Sequence, residues 1–126
     1  MNEEDLKKRT KQFALRIMKL VSVLPKSSEG RTIGNQLIRS GTSVGANYRA
    51  ACKGRSKAEF IAKLGIVEEE ADESVYWMEL IIEGGLLKKE LVQPLFDEAR
   101  EIVAIMAASR ISASRFRADK KSYAKK

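Results

Sequence analysis

Seven carboxylates within sixteen residues, Glu68, Glu69, Glu70, Asp72, Glu73, Glu79 and Glu83, are the densest set of chemically capable groups in this chain. Paired carboxylates inside a helical bundle can hold two metals. That pattern takes Glu-x-x-His on two helices, and the chain contains no histidine. The same absence removes the usual zinc and haem ligand sets and leaves every serine without a histidine partner. Cys52, the single cysteine, has no identifiable base and reads as a small packed apolar residue. Glu68, Asp72, Glu79 and Glu83 fall on one stripe beside the apolar stripe of the same segment, which suits pairing with cations of another helix better than acid–base work. The expectation is a non-enzyme with no metal and no cofactor.

A second stretch with chemical potential is RSGTSVGANYRAACKG, residues 39–54. Its glycines, hydroxyls and cations resemble a phosphate-cradling loop. A Walker-type loop needs G-x-x-x-x-G-K-[ST] after a strand, and Gly41, Gly45 and Gly54 have the wrong spacing while TIGNQLI before them does not alternate. Read as a helix, Ile33, Leu37, Gly41, Val44, Tyr48 and Ala51 form one stripe, and Arg31, Arg39, Arg49 and Lys53 occupy a narrow arc nearly opposite. Glycine inside a helix costs about 1 kcal/mol relative to alanine, so Gly34, Gly41 and Gly45 call for a reason beyond local propensity. Close packing against another helix or subunit supplies one, with Ser40, Ser43 and Asn47 flanking the stripe as potential hydrogen-bonding groups.

These residues need a scaffold, and the whole chain supplies a helical one. A length of 126 residues is enough for one domain with a core, and 44% apolar with 33% charged residues is the balance of a water-soluble helical protein. Leu6, Phe13, Ile17, Leu20 and Leu24 recur at helical spacing up to Pro25, where PKSSEG breaks the pattern. Ser56 with Glu59 predicts a capping box opening a helix that carries Phe60, Leu64, Val67, Ala71, Val75, Met78 and Ile82 to a Gly84-Gly85 stop. Leu91, Leu95, Ala99, Ile102, Met106, Ser109, Ala113 and Phe116 keep the rhythm, with Pro94 placed in the first turns. The expected fold is all-α, an antiparallel up-down-up-down four-helix bundle over residues 1–117, followed by a basic, disordered tail over residues 118–126. No apolar run approaches the roughly 20 residues of a membrane span, and the charged start MNEEDLKKRTKQ is unlike a signal peptide. A cytoplasmic protein is expected.

From Ser43 to Phe60 the sequence resembles the four-helix-bundle proteins known as the 23S ribosomal RNA intervening-sequence family. Their signature is similar to S-[IV]-x-x-N-I-A-E-G followed closely by R-S-x-x-E-F, and Ser43, Val44, Asn47, Arg55, Ser56, Glu59 and Phe60 match it. The similarity continues through LGIVEEEADESVYWMELI. The chain departs at Tyr48, Arg49, Ala50 and Ala51, where I-A-E-G would stand, so a role belonging to that glutamate does not carry over. The resemblance implies an up-down-up-down bundle assembled into a ring, preferably a homopentamer. It also implies kinship with accessory proteins of diversity-generating retroelements, which join a reverse transcriptase and nucleic acid.

Charge is strongly segregated. Residues 1–57 carry 13 cations and 4 anions, residues 58–109 carry 4 and 12, and residues 110–126 carry 7 and 1. One reading is a nucleic-acid footprint on RNA or DNA. Arg31, Arg39, Arg49, Lys53, Arg115, Arg117, Lys120 and Lys121 would neutralise phosphates, and Phe116 and Tyr123 would stack bases. The other pairs the basic and acidic faces within the bundle, across subunits, or with a protein partner. Tyr76 and Trp77 are candidate aromatic anchors at a subunit contact, or edge-of-core packing.

Overall fold

The computed structural model describes the backbone of residues 1–124 and the side chains of residues 1–115. Four helices follow one another: α1 (Glu3–Ser22), α2 (Ser28–Cys52), α3 (Lys57–Glu83) and α4 (Lys89–Ala124). Connections of four or five residues force consecutive helices to run antiparallel. Each helix packs on its neighbours in sequence, α1 and α4 touch least, and the chain is an all-α up-down bundle.

Local chemistry sets the helix ends. Asn2 caps α1 by accepting from the Asp5 N–H at 2.9 Å, while the Asp5 carboxylate accepts from the Asn2 N–H at 3.4 Å. Glu3, Glu4 and Asp5 fill the first turn, where carboxylates complement the positive end of the helix dipole. Ser27 caps α2 through the Gly30 N–H, and Ser56 caps α3 through the Glu59 N–H. The expected box at Ser56 is modified: the Glu59 carboxylate accepts from the N–H of Arg55, one residue earlier than the pattern predicts. α3 stops in a Schellman arrangement. Leu86 N–H reaches Ile81 C=O, Gly85 N–H reaches Ile82 C=O, and Gly85 takes φ 67°, a conformation costly for a residue with a Cβ. Pro94 lies within α4 and removes one backbone donor near its start.

The core runs the length of the bundle and contains the apolar stripes of all four helices, with Phe13, Ile17, Leu37, Leu64, Met78, Ile102 and Met106 fully enclosed. Two stripes differ from the sequence reading by one residue. Ile81 is buried where Ile82 was expected, and Val92 where Leu91 was expected, leaving Leu91 60% exposed. Near a helix end, a step of three or four residues satisfies the period equally well, and the neighbouring helix selects the inward side chain.

Gly34, Gly41 and Gly45 of α2 face α1. A Cβ on Gly41 would stand 2.8 and 2.9 Å from the γ carbons of Ile17, and one on Gly34 would stand 3.1 Å from Val21 Cγ1. At Gly45 the nearest atom would be Thr10 Oγ1 at 3.3 Å. On the other flank of α2, Ser40 meets Ser74 of α3, oxygen to oxygen at 2.9 Å, in a buried pair. Every fully buried side-chain polar atom among the described residues has a hydrogen-bond partner. Among those residues no helix is long and apolar enough to cross a membrane.

Candidate nucleic-acid interface

Antiparallel pairing of α1 and α2 places the beginning of one beside the end of the other. Lys7, Lys8 and Lys11 from the first turns of α1 then face Arg49 and Lys53 from the last turn and cap of α2. Together with Glu4 they line an open cleft of about 350 Å³. Glu4 pairs with Lys7 at 3.3 Å, and among the described residues Lys8, Lys11, Arg49 and Lys53 form no ion pair. Arg49 and Lys53 also sit at the negative end of the α2 dipole, which favours cations there. Five cations against one carboxylate, held on two rigid helices and open to water, form a surface suited to a polyanion.

The cleft offers no base-stacking platform. Tyr48 and Phe13 are in the core, 3% and 1% exposed. Burial, reinforced by the adjacent Cys52, raises the Tyr48 phenol far above its ordinary range, and burial likewise raises the Cys52 thiol.

The four α2 cations expected to act together are divided by their neighbours. Arg49 and Lys53 enter the cleft. Arg31 is exposed about 27 Å away along α2, from the helical rise of 1.5 Å per residue. Arg39 lies apart from the cleft. It leans over α3, hydrogen-bonding Glu70 at 3.1 Å and pairing with Glu73, so its charge is neutralised inside the chain. Arg115 is exposed near the far end of α4, while the side chains of Phe116, Arg117, Lys120, Lys121 and Tyr123 lie outside the described residues; of the expected tail, the backbone of residues 118–124 lies within α4 and residues 125–126 lie outside the described residues.

The motif residues serve the turn between α2 and α3. Ser43 Oγ donates to the Arg39 carbonyl, and Asn47 Nδ2 donates to the Ser43 carbonyl, both within α2. Ser56 and Glu59 cap α3, Phe60 packs half-buried against the core with Lys57 Nζ 5.6 Å from its ring centre, and Arg55 is exposed. Each polar contact is local, and Arg55, Ser56 and Phe60 also line an open cavity of about 350 Å³ with Glu3, Cys52 and Lys57.

The acidic segment divides as well. Glu68 accepts from Arg110 of α4 at 2.9 Å, and Glu73 also accepts from Trp77 Nε1 at 3.3 Å. Trp77 is half-buried and Tyr76 is exposed, their rings meeting edge to face at 5.1 Å. At the α1–α4 seam, Arg9 bonds both Glu98 and Glu101. Those bonds, Glu98 first, raise the guanidinium further above its ordinary range, and Arg9 holds the Glu98 carboxyl below the usual glutamate value. No group of three His, Cys, Asp or Glu side chains among the described residues is placed to hold a metal ion.

Lys7, Lys8 and Lys11 were absent from the expected interface. Their signal was present in the sequence as closely spaced cations in the first turns of α1, but it required the antiparallel α1–α2 pairing to become part of a site.

The profile described as "23S rRNA-intervening sequence protein" matches residues 2–108. One similar solved structure is a 1.70 Å crystal structure of a protein of unknown function from the S23 ribosomal protein family of Bacteroides thetaiotaomicron VPI-5482. It shares 34% sequence identity and a TM-score of 0.81, with 87% of this chain and 98% of that chain covered. No curated protein matches.

Proposed function

We propose, from the premise that this chain belongs to the 23S rRNA-intervening sequence protein family, that it is a non-enzymatic, self-associating scaffold that holds RNA or DNA by the sugar-phosphate backbone. The observation carrying this reading is the cleft in which Lys7, Lys8, Lys11, Arg49 and Lys53 converge with only Glu4 opposed to them. Assembly, with five copies preferred from the resemblance, would multiply a weak patch into a multivalent surface. The implied kinship with retroelement accessory proteins adds a nucleic-acid precedent. The scaffold operates in the cytoplasm without a cofactor.

Backbone contact has a quantitative signature. If all five cations neutralise phosphates, log affinity falls with log salt at a slope of about −4.5 for duplex and about −3.5 for single strands. Between 50 and 200 mM salt the duplex affinity then drops about 500-fold. Replacing Lys8, Lys11 and Arg49 by glutamine should shallow the slope by about 0.9 per lost contact on duplex of any sequence. Arg39→Gln should leave it unchanged, because Arg39 is tied to Glu70 and Glu73. Binding is compared at equal oligomeric mass, since a lost assembly mimics a lost contact. Absence of salt-sensitive binding to RNA and DNA at low ionic strength refutes the proposal. The Arg39 pairing favours a second reading, a protein–protein adaptor, and that result would leave the adaptor in place.

A further inference from the structure

The cationic cleft has two walls, one from each helix. Lys7, Lys8 and Lys11 stand on the α1 wall, and Arg49 and Lys53 on the α2 wall. Lys8, Lys11, Arg49 and Lys53 are exposed, and none forms an ion pair among the described residues. The walls are close because the helices are. Thr10, next to Lys11, lies against Gly45, one turn before Arg49, so near that a Cβ on Gly45 would meet Thr10 Oγ1 at 3.3 Å. Lys7 and Lys11 on one wall, and Arg49 and Lys53 on the other, are each about 6 Å apart along their helix. Two short rows of positive charge facing each other across a groove are the complement of two phosphate strands flanking a groove.

Charge density separates paired from unpaired nucleic acid. Five cations against Glu4 leave a net of four positive charges within about 6 Å of cleft length. A duplex carries one phosphate charge per ~1.7 Å of axis, about 3 to 4 in that length, whereas one strand at ~3.4 Å per charge brings about 2. One strand therefore leaves about half of the cleft's charge unneutralised. Proteins that hold single strands make up such a shortfall by stacking bases on aromatic rings. None of the cleft-lining residues is aromatic, and Phe13 and Tyr48 are enclosed in the core.

We propose that the cleft selects a double helix over a single strand, one strand of the duplex lying on the α1 wall and the other on the α2 wall. This inference rests on the nucleic-acid reading of the cleft and narrows it. RNA and DNA duplexes share the double backbone, so the paired form is selected whichever sugar carries it. Five contacts are the ceiling for the cleft. With Glu4 holding Lys7, the 3 to 4 phosphates of a duplex give a slope of log affinity against log salt of about −3, and the 2 of a single strand about −1.3. The ratio of the two slopes, about 2.5, does not depend on how many copies engage one ligand, whereas equal contact numbers on both ligands give about 1.3.

The test is fluorescence anisotropy with labelled oligonucleotides of equal length, a DNA duplex, an RNA duplex, oligo(dT) and oligo(U), between about 50 and 200 mM salt. The parent should show a slope ratio of about 2.5, and the sugar series that meets it identifies the helical form bound. Lys8→Gln with Lys11→Gln strips the α1 wall, and Arg49→Gln with Lys53→Gln strips the α2 wall. Each should roughly halve the duplex slope and leave the single-strand slope near the parental value, because a lone strand uses the remaining wall. Helix content and oligomeric mass are checked for both variants, and the parental ratio needs no variant at all. A ratio near 1.3 in both series, or steeper dependence on single strands, overturns this inference and leaves nucleic-acid binding standing. A correctly folded wall variant that shallows both slopes in proportion does the same. Absence of salt-sensitive binding to all four ligands overturns the inference together with the reading beneath it.

Discussion

Gly41→Ala isolates the closest approach between α1 and α2. The added methyl would lie 2.8 and 2.9 Å from the γ carbons of Ile17, whereas carbon contacts are favourable near 3.5 to 4.0 Å. Ile17 is fully buried and β-branched, so it cannot swing aside, and the helices must part by roughly 0.6 to 1 Å to restore that spacing. Overpacking of this kind costs about 1 to 3 kcal/mol, against which alanine returns about 1 kcal/mol of helix propensity. The net expectation is a loss of about 1 kcal/mol, or about 4 °C in melting temperature. Gly65→Ala is the matched control: its new methyl meets nothing nearer than Arg110 Cδ at 3.9 Å, so the propensity gain of about 1 kcal/mol should appear whole. Gly45→Ala, with Thr10 Oγ1 at 3.3 Å, should fall between them near zero. Urea unfolding at one fixed protein concentration measures all three, since self-association makes stability concentration-dependent. Equal stabilisation by Gly41→Ala and Gly65→Ala would refute the close contact at Ile17, and Gly41→Leu should lose more than Gly41→Ala.

Other expectations address the polar contacts. Arg9→Met leaves the half-buried Glu98 without its strongest partner and should cost roughly 1 to 2 kcal/mol at neutral pH. Because the folded state lowers the Glu98 pKa, its contribution is complete above the ordinary value of 4.5 and is lost as pH falls through the folded value; the parent–variant gap in urea midpoint should close over that acid range. Ser40→Ala and Ser74→Ala break the same buried hydroxyl pair, so a double-mutant cycle should give a coupling of about 0.5 to 1.5 kcal/mol, and a double variant as unstable as the two singles summed would contradict the pair. Burial raises the Cys52 thiol pKa and thins its thiolate, so alkylation by iodoacetamide at pH 8 should run well below the rate of free cysteine and reach it in urea.

The helices were legible because their causes are local. A repeat of apolar residues near 3.6, serine before Glu59, and paired glycines after Glu83 each act within a few residues of chain, and they gave four helices and most of the core. Spacing alone also assigned a packing contact to Gly41 and Gly45, and the neighbours at those positions proved to be Ile17 and Thr10 of α1. The interface was less legible. Arg31, Arg39, Arg49 and Lys53 share an arc of α2, but a helix has two flanks and each faces a different neighbour. α3 brings Glu70 and Glu73 to Arg39, while α1 brings Lys7, Lys8 and Lys11 to Arg49 and Lys53, so one arc becomes a neutralised edge and a cationic cleft. Sequence determined the sign of each charge and the face that carries it. Only the tertiary structure decided which charges meet, because electrostatic energy depends on through-space distance, and residues such as Lys7 and Lys53 come together only when the chain has folded back on itself.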